Sequence, residues 1–441
     1  RITTADGTVI ADSKEVDGIT LKYQRTYPHG SDYANITGYK SPSGFGTTNL
    51  ESILDKYLQG TDSSESVANF MDTLTGTSKK GGDVQLTLQN SVQQAAISAL
   101  KGRQGSVVAL DPTTGAILAM YSSPSFDPNP IASNDGDIAS PAAKALDADK
   151  NKPNLNHATR ELYPPGSIFK VVTAAAALDT GTYAEDQPTG ADPRKFSIPG
   201  AGYQMANEND ATCGGTDLKV ALAQSCNSVY GYVGAKLGAD KMSEYAGRFG
   251  LNNADLKIPL PVAASRFPTP AQIGTNQLTL AQSSIGQGDT QVTPLQAAMI
   301  AATVANGGTL MQPYLVAKET APNGHVTYKG EEHRHVLSQA VSPQTAAALD
   351  DMMQNVVING TAQGLAIDGA HMGAKTGTAQ RGNKNPLPWF VSYASIGDKH
   401  VAVGVLLQID DPSIRDDISG FRFAGPVAKA VMEAALGVGQ H

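Results

Sequence analysis

Three short strings constrain this chain more than anything else in it: Ser-Ile-Phe-Lys at 167–170, Ser-Cys-Asn at 225–227 and Lys-Thr-Gly-Thr at 375–378. Each suits a different local structure. If they act together, the fold must bring a helix N-terminus, a turn between helices and a strand edge to one place. Any one of them alone carries little information; together and in this order they supply a serine nucleophile, a base and an anion-binding edge, the parts needed for acyl transfer through a serine ester.

Tyr163-Pro164-Pro165-Gly166 is a rigid approach to Ser167, and an apolar, alanine-rich run follows at once. Ser167 is therefore expected at a helix N-terminus, where unpaired backbone N–H groups and the positive end of the helix dipole favour developing negative charge. Lys170 is one helical turn further on, so its amine can lie beside the Ser167 hydroxyl. A lysine acts as a base only when burial and cationic neighbours lower its pKa, and Ile168, Phe169, Val171 and Val172 are suitably apolar. An isolated string of this kind is more often a capping serine and a surface lysine.

Ser225 and Asn227 fall between two helical stretches, 218–224 and 229–237, and their spacing lets both point the same way from a turn. In a functional reading Ser225 passes a proton to a leaving amine and Asn227 holds Lys170 and a substrate amide. Lys375, Thr376, Gly377 and Thr378 lie among small residues on an expected strand edge, where a peptide ligand can pair with the backbone. There Lys375 and the two hydroxyls bind a carboxylate, and the Thr378 N–H joins that of Ser167 in an oxyanion hole.

The chain of 441 residues, 40% hydrophobic, is long enough for one large and one small domain. A net charge of -8 with no Lys/Arg run argues against nucleic acid as a partner. The weakly polar stretches 171–178 and 295–304 are too short to cross a bilayer, which needs ~20 apolar residues. The sequence starts at Arg1, and an N-terminal anchoring helix upstream of it is an expectation. Cys213 and Cys226 are either a disulfide or two small buried residues, since sequence gives no distance between them. The scattered histidines have no metal-ligand spacing, so neither a metal nor a cofactor is expected.

Residues 1–82 read as a small mixed unit: strands at 7–11 and 19–23, a polar helix at 50–58, and candidate boundaries at 61–65 and 77–82, the second preferred. From 83 a regular α/β (α+β) domain is expected to run to 441. It opens with a strand at 83–88, a helix containing Val92, Ala95, Ala96 and Leu100, and a hairpin of 106–110 with 116–121. The stretch 122–165 should wrap the surface with a short helix near 139–146. Helices at 218–237 and 294–306, strands at 390–394 and 401–408, and a helix at 426–436 complete a mostly antiparallel sheet flanked by helices.

S-x-x-K, S-x-N and K-T-G in this order form a signature of penicillin-binding proteins and serine β-lactamases. Beyond the strings, the segments 105–129, 163–170, 284–296, 360–362 and 373–380 resemble class B penicillin-binding proteins. The first 80 residues, with Arg25-Thr26-Tyr27-Pro28 and Ile36-Thr37-Gly38-Tyr39, resemble the short N-terminal domain of an actinobacterial branch of that family. The resemblance implies a monofunctional D,D-transpeptidase in which Ser167 attacks the D-Ala-D-Ala end of peptidoglycan stem peptides, with Lys170 as base. It implies acylation by β-lactam antibiotics, which present a strained amide in place of D-Ala-D-Ala. It also implies an N-terminal domain that contacts cell-wall synthesis or division proteins, and residence on the outer face of the cytoplasmic membrane.

Cys226 stands where the signature often has Asp, a departure that points away from class A β-lactamases. Those enzymes also need a second base, and Glu208 in Asn207-Glu208-Asn209 does not look like their loop. A D,D-carboxypeptidase, which uses water as acceptor, and a cell-wall scaffold that keeps the site for recognition are the other readings.

Overall fold

The computed structural model describes residues 1–17, 21–61 and 81–439. At its centre is a five-stranded sheet in the order His371–Arg381, Lys384–Ile396, Lys399–Leu407, Gly105–Leu110, Ile117–Ser123. Every neighbouring pair is antiparallel. The inner strands are buried along nearly their whole length; all six residues of Gly105–Leu110 are, as a sheet covered on both faces requires. Helices Asn90–Leu100 and Gly425–Leu436 pack together on one side, and Pro294–Ala305 and Pro343–Asn359 contact the sheet as well. At Gly404 the approach is so close that a Cβ would lie 2.6 Å from the Ala298 nitrogen.

The helices start where their sequences provide caps. Thr293 accepts from Gln296 N ahead of Pro294, and Ser342 accepts from Thr345 N ahead of Pro343; proline at the first helical position loses nothing, because its missing N–H would be unpaired there anyway. The helix Pro343–Asn359, which carries both signals, was not among the elements expected above. Nor were the hairpin Lys195–Ile198 with Tyr203–Ala206 and the two-stranded sheet of Thr309–Met311 with Val336–Gln339.

A second, six-stranded sheet interleaves distant parts of the chain. Its order is Val326–Lys329, Val316–Thr320, Asp83–Leu86, Ile2–Thr3, Val9–Glu15, Tyr23–Thr26. The strand expected at 19–23 falls partly on residues outside the described ones, and the strand observed there is Tyr23–Thr26. The expected boundary segments 61–65 and 77–82 likewise fall mostly outside the described residues. The helix expected at 50–58 is two short helices, Asn49–Ile53 and Asp55–Leu58, broken at Leu54.

The N-terminal strands are held to the rest of the protein by polar contacts. Asn129 exchanges hydrogen bonds with the Tyr27 backbone at 2.8 and 2.9 Å, and Gln24 Nε2 donates to Ala132 O at 2.7 Å. Beneath them the Arg25–Glu51 ion pair is buried at 2.7 Å, with the Tyr27 hydroxyl donating to the same carboxylate oxygen at 3.1 Å. Breaking that pair on one side would leave a buried charge unpaired.

Candidate active site

Ser167 sits in a tight turn, Gly166–Phe169, that runs straight into the helix Lys170–Asp179. The turn is held from two sides. Gly166 has φ 56°, and a Cβ there would lie 3.0 Å from Ala379 Cα on the strand His371–Arg381. Its N–H donates to Gly286 O at 2.8 Å, and Gly286, with φ 77°, comes so near that a Cβ would lie 2.1 Å from Gly166 O. Only glycine suits these two places. Above them the single tryptophan, Trp389, is fully buried and donates its Nε1–H to Pro164 O at 2.9 Å, with Tyr163 edge-on to its ring. The Pro-Pro-Gly approach therefore leans on a rigid aromatic post.

Lys170 is fully buried on the first turn of its helix. Its Nζ donates to Ser225 O at 2.6 Å and Asn227 Oδ1 at 2.7 Å, and reaches Ser225 Oγ at 3.4 Å. The hydrogen bonds of this amine thus go to the second string, and the Ser167 hydroxyl is not among its partners. Lys375, also fully buried, donates to Ser225 Oγ at 2.9 Å and to Thr376 O at 2.9 Å. Ser225 links the two amines through one hydroxyl. It does so from a left-handed conformation, φ 62°, which is uncommon for a residue with a side chain and turns up at functional sites. The three strings do converge, and Ser225 is where they join.

Burial pushes both amines down. Lys170 lies well below the usual lysine range, because its burial favours the neutral form and the charge on Lys375 adds to the effect, with Glu208 acting the other way. Lys375 is pushed down to about 7 by burial, again against Glu208. A pair of lysines able to share protons near neutrality, one of them disposed to be a free base, can activate a hydroxyl and still keep a cation for an anionic substrate.

The strand His371–Arg381 pairs with Lys384–Ile396 and, among the described residues, with no other strand, so Lys375, Thr376, Gly377 and Thr378 lie on an open edge. Gly377 lets that edge touch the nucleophile turn: a Cβ would lie 2.9 Å from Ile168 Cγ2 and 3.1 Å from Pro165 O. The half-buried Thr378 follows it. Thr376 Oγ1 is 2.6 Å from Thr361 Oγ1, and Thr361 N donates to Ala223 O at 3.0 Å, so the loop after helix Pro343–Asn359 ties the edge strand to the helix before Ser225. Thr361 lies in the segment 360–362 that the family resemblance marks without giving it a role, and Trp389 has no signal in the sequence beyond being the single tryptophan. Among the described residues no group of three His, Cys, Asp or Glu side chains has metal-binding geometry.

Cys213 and Cys226 form a disulfide with Cα atoms 6.2 Å apart, which resolves the alternative left open by the sequence. Since Cys226 is the middle residue of the second string, the bridge fastens the loop before Asp217 directly to Ser225 and Asn227. A cross-link closing so short a loop contributes about 2–3 kcal/mol in the chain-entropy account. The variant Cys213→Ala/Cys226→Ala should lose that much in denaturant unfolding, with reduced wild type behaving alike; equal midpoints for all three would show that the bridge adds no stability.

Helices on both faces of an antiparallel sheet, with a serine, two buried lysines and an open strand edge at their junction, define a serine acyl-transfer enzyme. Residues 105–433 match the penicillin binding protein transpeptidase domain and residues 1–84 the penicillin binding protein A dimerisation domain; the chain belongs to the penicillin-binding protein transpeptidase family. It is 40% identical to the peptidoglycan D,D-transpeptidase PbpA of Mycolicibacterium smegmatis over 447 residues, covering 98% of this chain and 88% of that one. The PbpA of Mycobacterium tuberculosis is 37% identical over 448 residues with the same coverage. The structure of penicillin-binding protein A from M. tuberculosis as its ceftriaxone acyl-enzyme superposes with a TM-score of 0.91 at 37% identity, covering 99% of this chain and 97% of that one. The penicillin G acyl-enzyme of the same protein gives 0.89 at 36% identity, covering 99% and 98%.

Proposed function

We propose that this chain is a peptidoglycan D,D-transpeptidase that cross-links stem peptides through an ester on Ser167 and is acylated there by β-lactams. The observation that carries it is the hydrogen-bonded line Lys375–Ser225–Lys170–Asn227 beside the serine turn. Lys170, neutral through burial, takes the Ser167 proton as its oxygen attacks the penultimate D-Ala carbonyl. The oxyanion forms between the N–H groups of Ser167 and Thr378, on two segments that meet at Gly377. Ser225 hands a proton to the departing D-Ala and takes in its place the one Lys170 received from Ser167, and Lys375, Thr376 and Thr378 take the carboxylate. An amine of a second stem then attacks the ester and closes the cross-link.

The relatives are named as D,D-transpeptidases and their structures as β-lactam acyl-enzymes, which supports the reading. The disulfide fits action outside the cytoplasm, on the outer face of the membrane, because such bridges persist in oxidising compartments. In the same reading residues 1–82 are the surface that meets division or cell-wall synthesis proteins, and residues 83–441 do the chemistry.

Intact mass measurement after exposure to penicillin G tests the assignment. The wild-type chain should gain one penicillin mass, on the peptide containing Ser167, and Ser167→Ala should gain none. A stable adduct on Ser167→Ala at the wild-type rate would remove Ser167 from the mechanism.

A further inference from the structure

Glu208 lies outside the three strings and has no role in the steps above. It is exposed, in a turn after the hairpin strand Tyr203–Ala206, and the segment 206–214 around that turn is fastened to the Ser225 turn at four points. Asn227 Nδ2 donates to Ala206 O at 3.3 Å, Ser228 N donates to Asn207 Oδ1 at 2.9 Å, Gly214 N donates to Gln224 Oε1 at 2.7 Å, and Cys213 is bridged to Cys226. Asn207 Nδ2 also donates to Pro193 O and Ala211 O, at 2.8 and 2.9 Å, so the residue before Glu208 is locked by its own side chain. Asn209 and Asp210 both take positive φ, 55° and 52°, which closes the turn sharply. The Glu208 carboxylate has no hydrogen bond or ion pair among the described residues, yet it is near enough to both Lys170 and Lys375 to favour their charged forms. An acid carried on a backbone held this firmly against Asn227, the partner of Lys170, and left unpaired, is placed to meet a cation at the site mouth.

We infer that Glu208 is the specificity residue for the acyl acceptor, binding the amine of the incoming stem peptide. The inference rests on the transpeptidase reading and deepens it. A primary amine reaches the site as an ammonium ion, and the charge on Lys375 repels it; a carboxylate on the Ser225 wall offsets that repulsion and orients the nitrogen. The ammonium gives up its surplus proton to solvent. The free amine nitrogen then bonds to the acyl carbon, the bond from that carbon to Ser167 Oγ breaks, and one of the two amine protons passes through Lys170 to the serine oxygen while the other stays on the new amide. Water, the competing acceptor, has no use for the carboxylate.

The test measures partition of one acyl-enzyme among three acceptors. A D-alanyl thiolester donor is supplied to the whole chain with water alone, with a stem tripeptide carrying a free side-chain amine, or with hydroxylamine, which is uncharged at neutral pH. In Glu208→Gln the ratio of tripeptide transfer to hydrolysis should fall about tenfold, the loss expected for one charge-assisted hydrogen bond. Transfer to hydroxylamine relative to hydrolysis should fall much less, and Glu208→Asp should recover part of the tripeptide ratio. A tripeptide ratio within twofold of wild type, or equal losses for tripeptide and hydroxylamine, overturns the inference while leaving the transpeptidase reading intact. A wild-type chain that forms no ester with the donor overturns both.

Discussion

Replacing Lys170 by Met should slow penicillin acylation about 10²- to 10⁴-fold, the range of a general base, while the folded state changes by no more than about 2 kcal/mol. Two effects on stability oppose each other. Met matches the length of the lysine stem and removes an amine that burial already disfavours. Against this, Ser225 O and Asn227 Oδ1 lose their donor at 2.6 and 2.7 Å, and each acceptor left unsatisfied costs about 1–3 kcal/mol unless water reaches it. Stopped-flow acylation with a fluorescent penicillin, alongside denaturant unfolding, separates chemistry from folding. Acylation within tenfold of wild type would move the base to Lys375, which shares the Ser225 hydroxyl. Unfolding of the variant under assay conditions would instead show that Lys170 anchors the Ser225 turn more than it serves as a base.

The position of Lys170 also marks how much of the site local sequence determines. Its burial, and the placing of Ser167 at a helix start, were legible because Pro164-Pro165-Gly166 and the apolar residues around them leave few alternatives. The destination of its amine was legible in part: the pairing with Asn227 follows from reading the first two strings together, and the bond is there at 2.7 Å. Spacing along one helix brings Lys170 near Ser167, but the Ser225 carbonyl, which takes the amine at 2.6 Å, arrives from a turn elsewhere in the chain, and nothing local to 167–170 reports it. The same applies to the sheet. The hairpin Gly105–Leu110 with Ile117–Ser123 is a local pairing with a Pro/Gly turn, and it was read directly. That Gly105–Leu110 also pairs with Lys399–Leu407, almost three hundred residues away, depends on packing that no local pattern encodes. The strand edge at Lys375–Thr378 was identified from its small residues, whereas the two glycine contacts that press it against the serine turn, at Gly166 and Gly377, appear only when both segments are in place. Glu208 is the opposite case: its local sequence does not resemble a β-lactamase base loop, and its setting depends on Asn207 and Cys213, whose partners lie across the turn.

The second large effect concerns pH, and it should separate activity from stability. As pH rises through about 7, penicillin acylation measured as kcat/KM should decline, because Lys375 loses its proton there and a neutral amine holds the antibiotic carboxylate less well. That constant reports the free enzyme; at saturation the bound carboxylate favours the charged lysine, so the same limb should move to higher pH. The rising limb belongs to Lys170, which must be neutral to act and lies lower because the Lys375 charge adds to its burial. Stability runs the other way. In the unfolded chain Lys375 keeps its proton up to its ordinary value of 10.5, so between about 7 and 10.5 the unfolded state binds more protons and folding strengthens with pH, by at most about 1.4 kcal/mol per unit for this group. Below that window both states hold the proton and Lys375 contributes no slope. Near and above pH 10 the buried Tyr230 and Tyr393, both raised by burial, reverse the trend, since the unfolded chain then gives up phenol protons that the folded one retains. Unfolding midpoints and acylation rates measured from pH 5 to 10 on wild type and Lys375→Met should therefore show wild-type stability still climbing where its acylation falls; in the variant the decline in acylation is lost and the climb is shallower, since only the buried Lys170 still contributes to it. Parallel profiles for the two proteins would mean that Lys375 does not titrate in this range, and that a permanently charged lysine holds the substrate carboxylate.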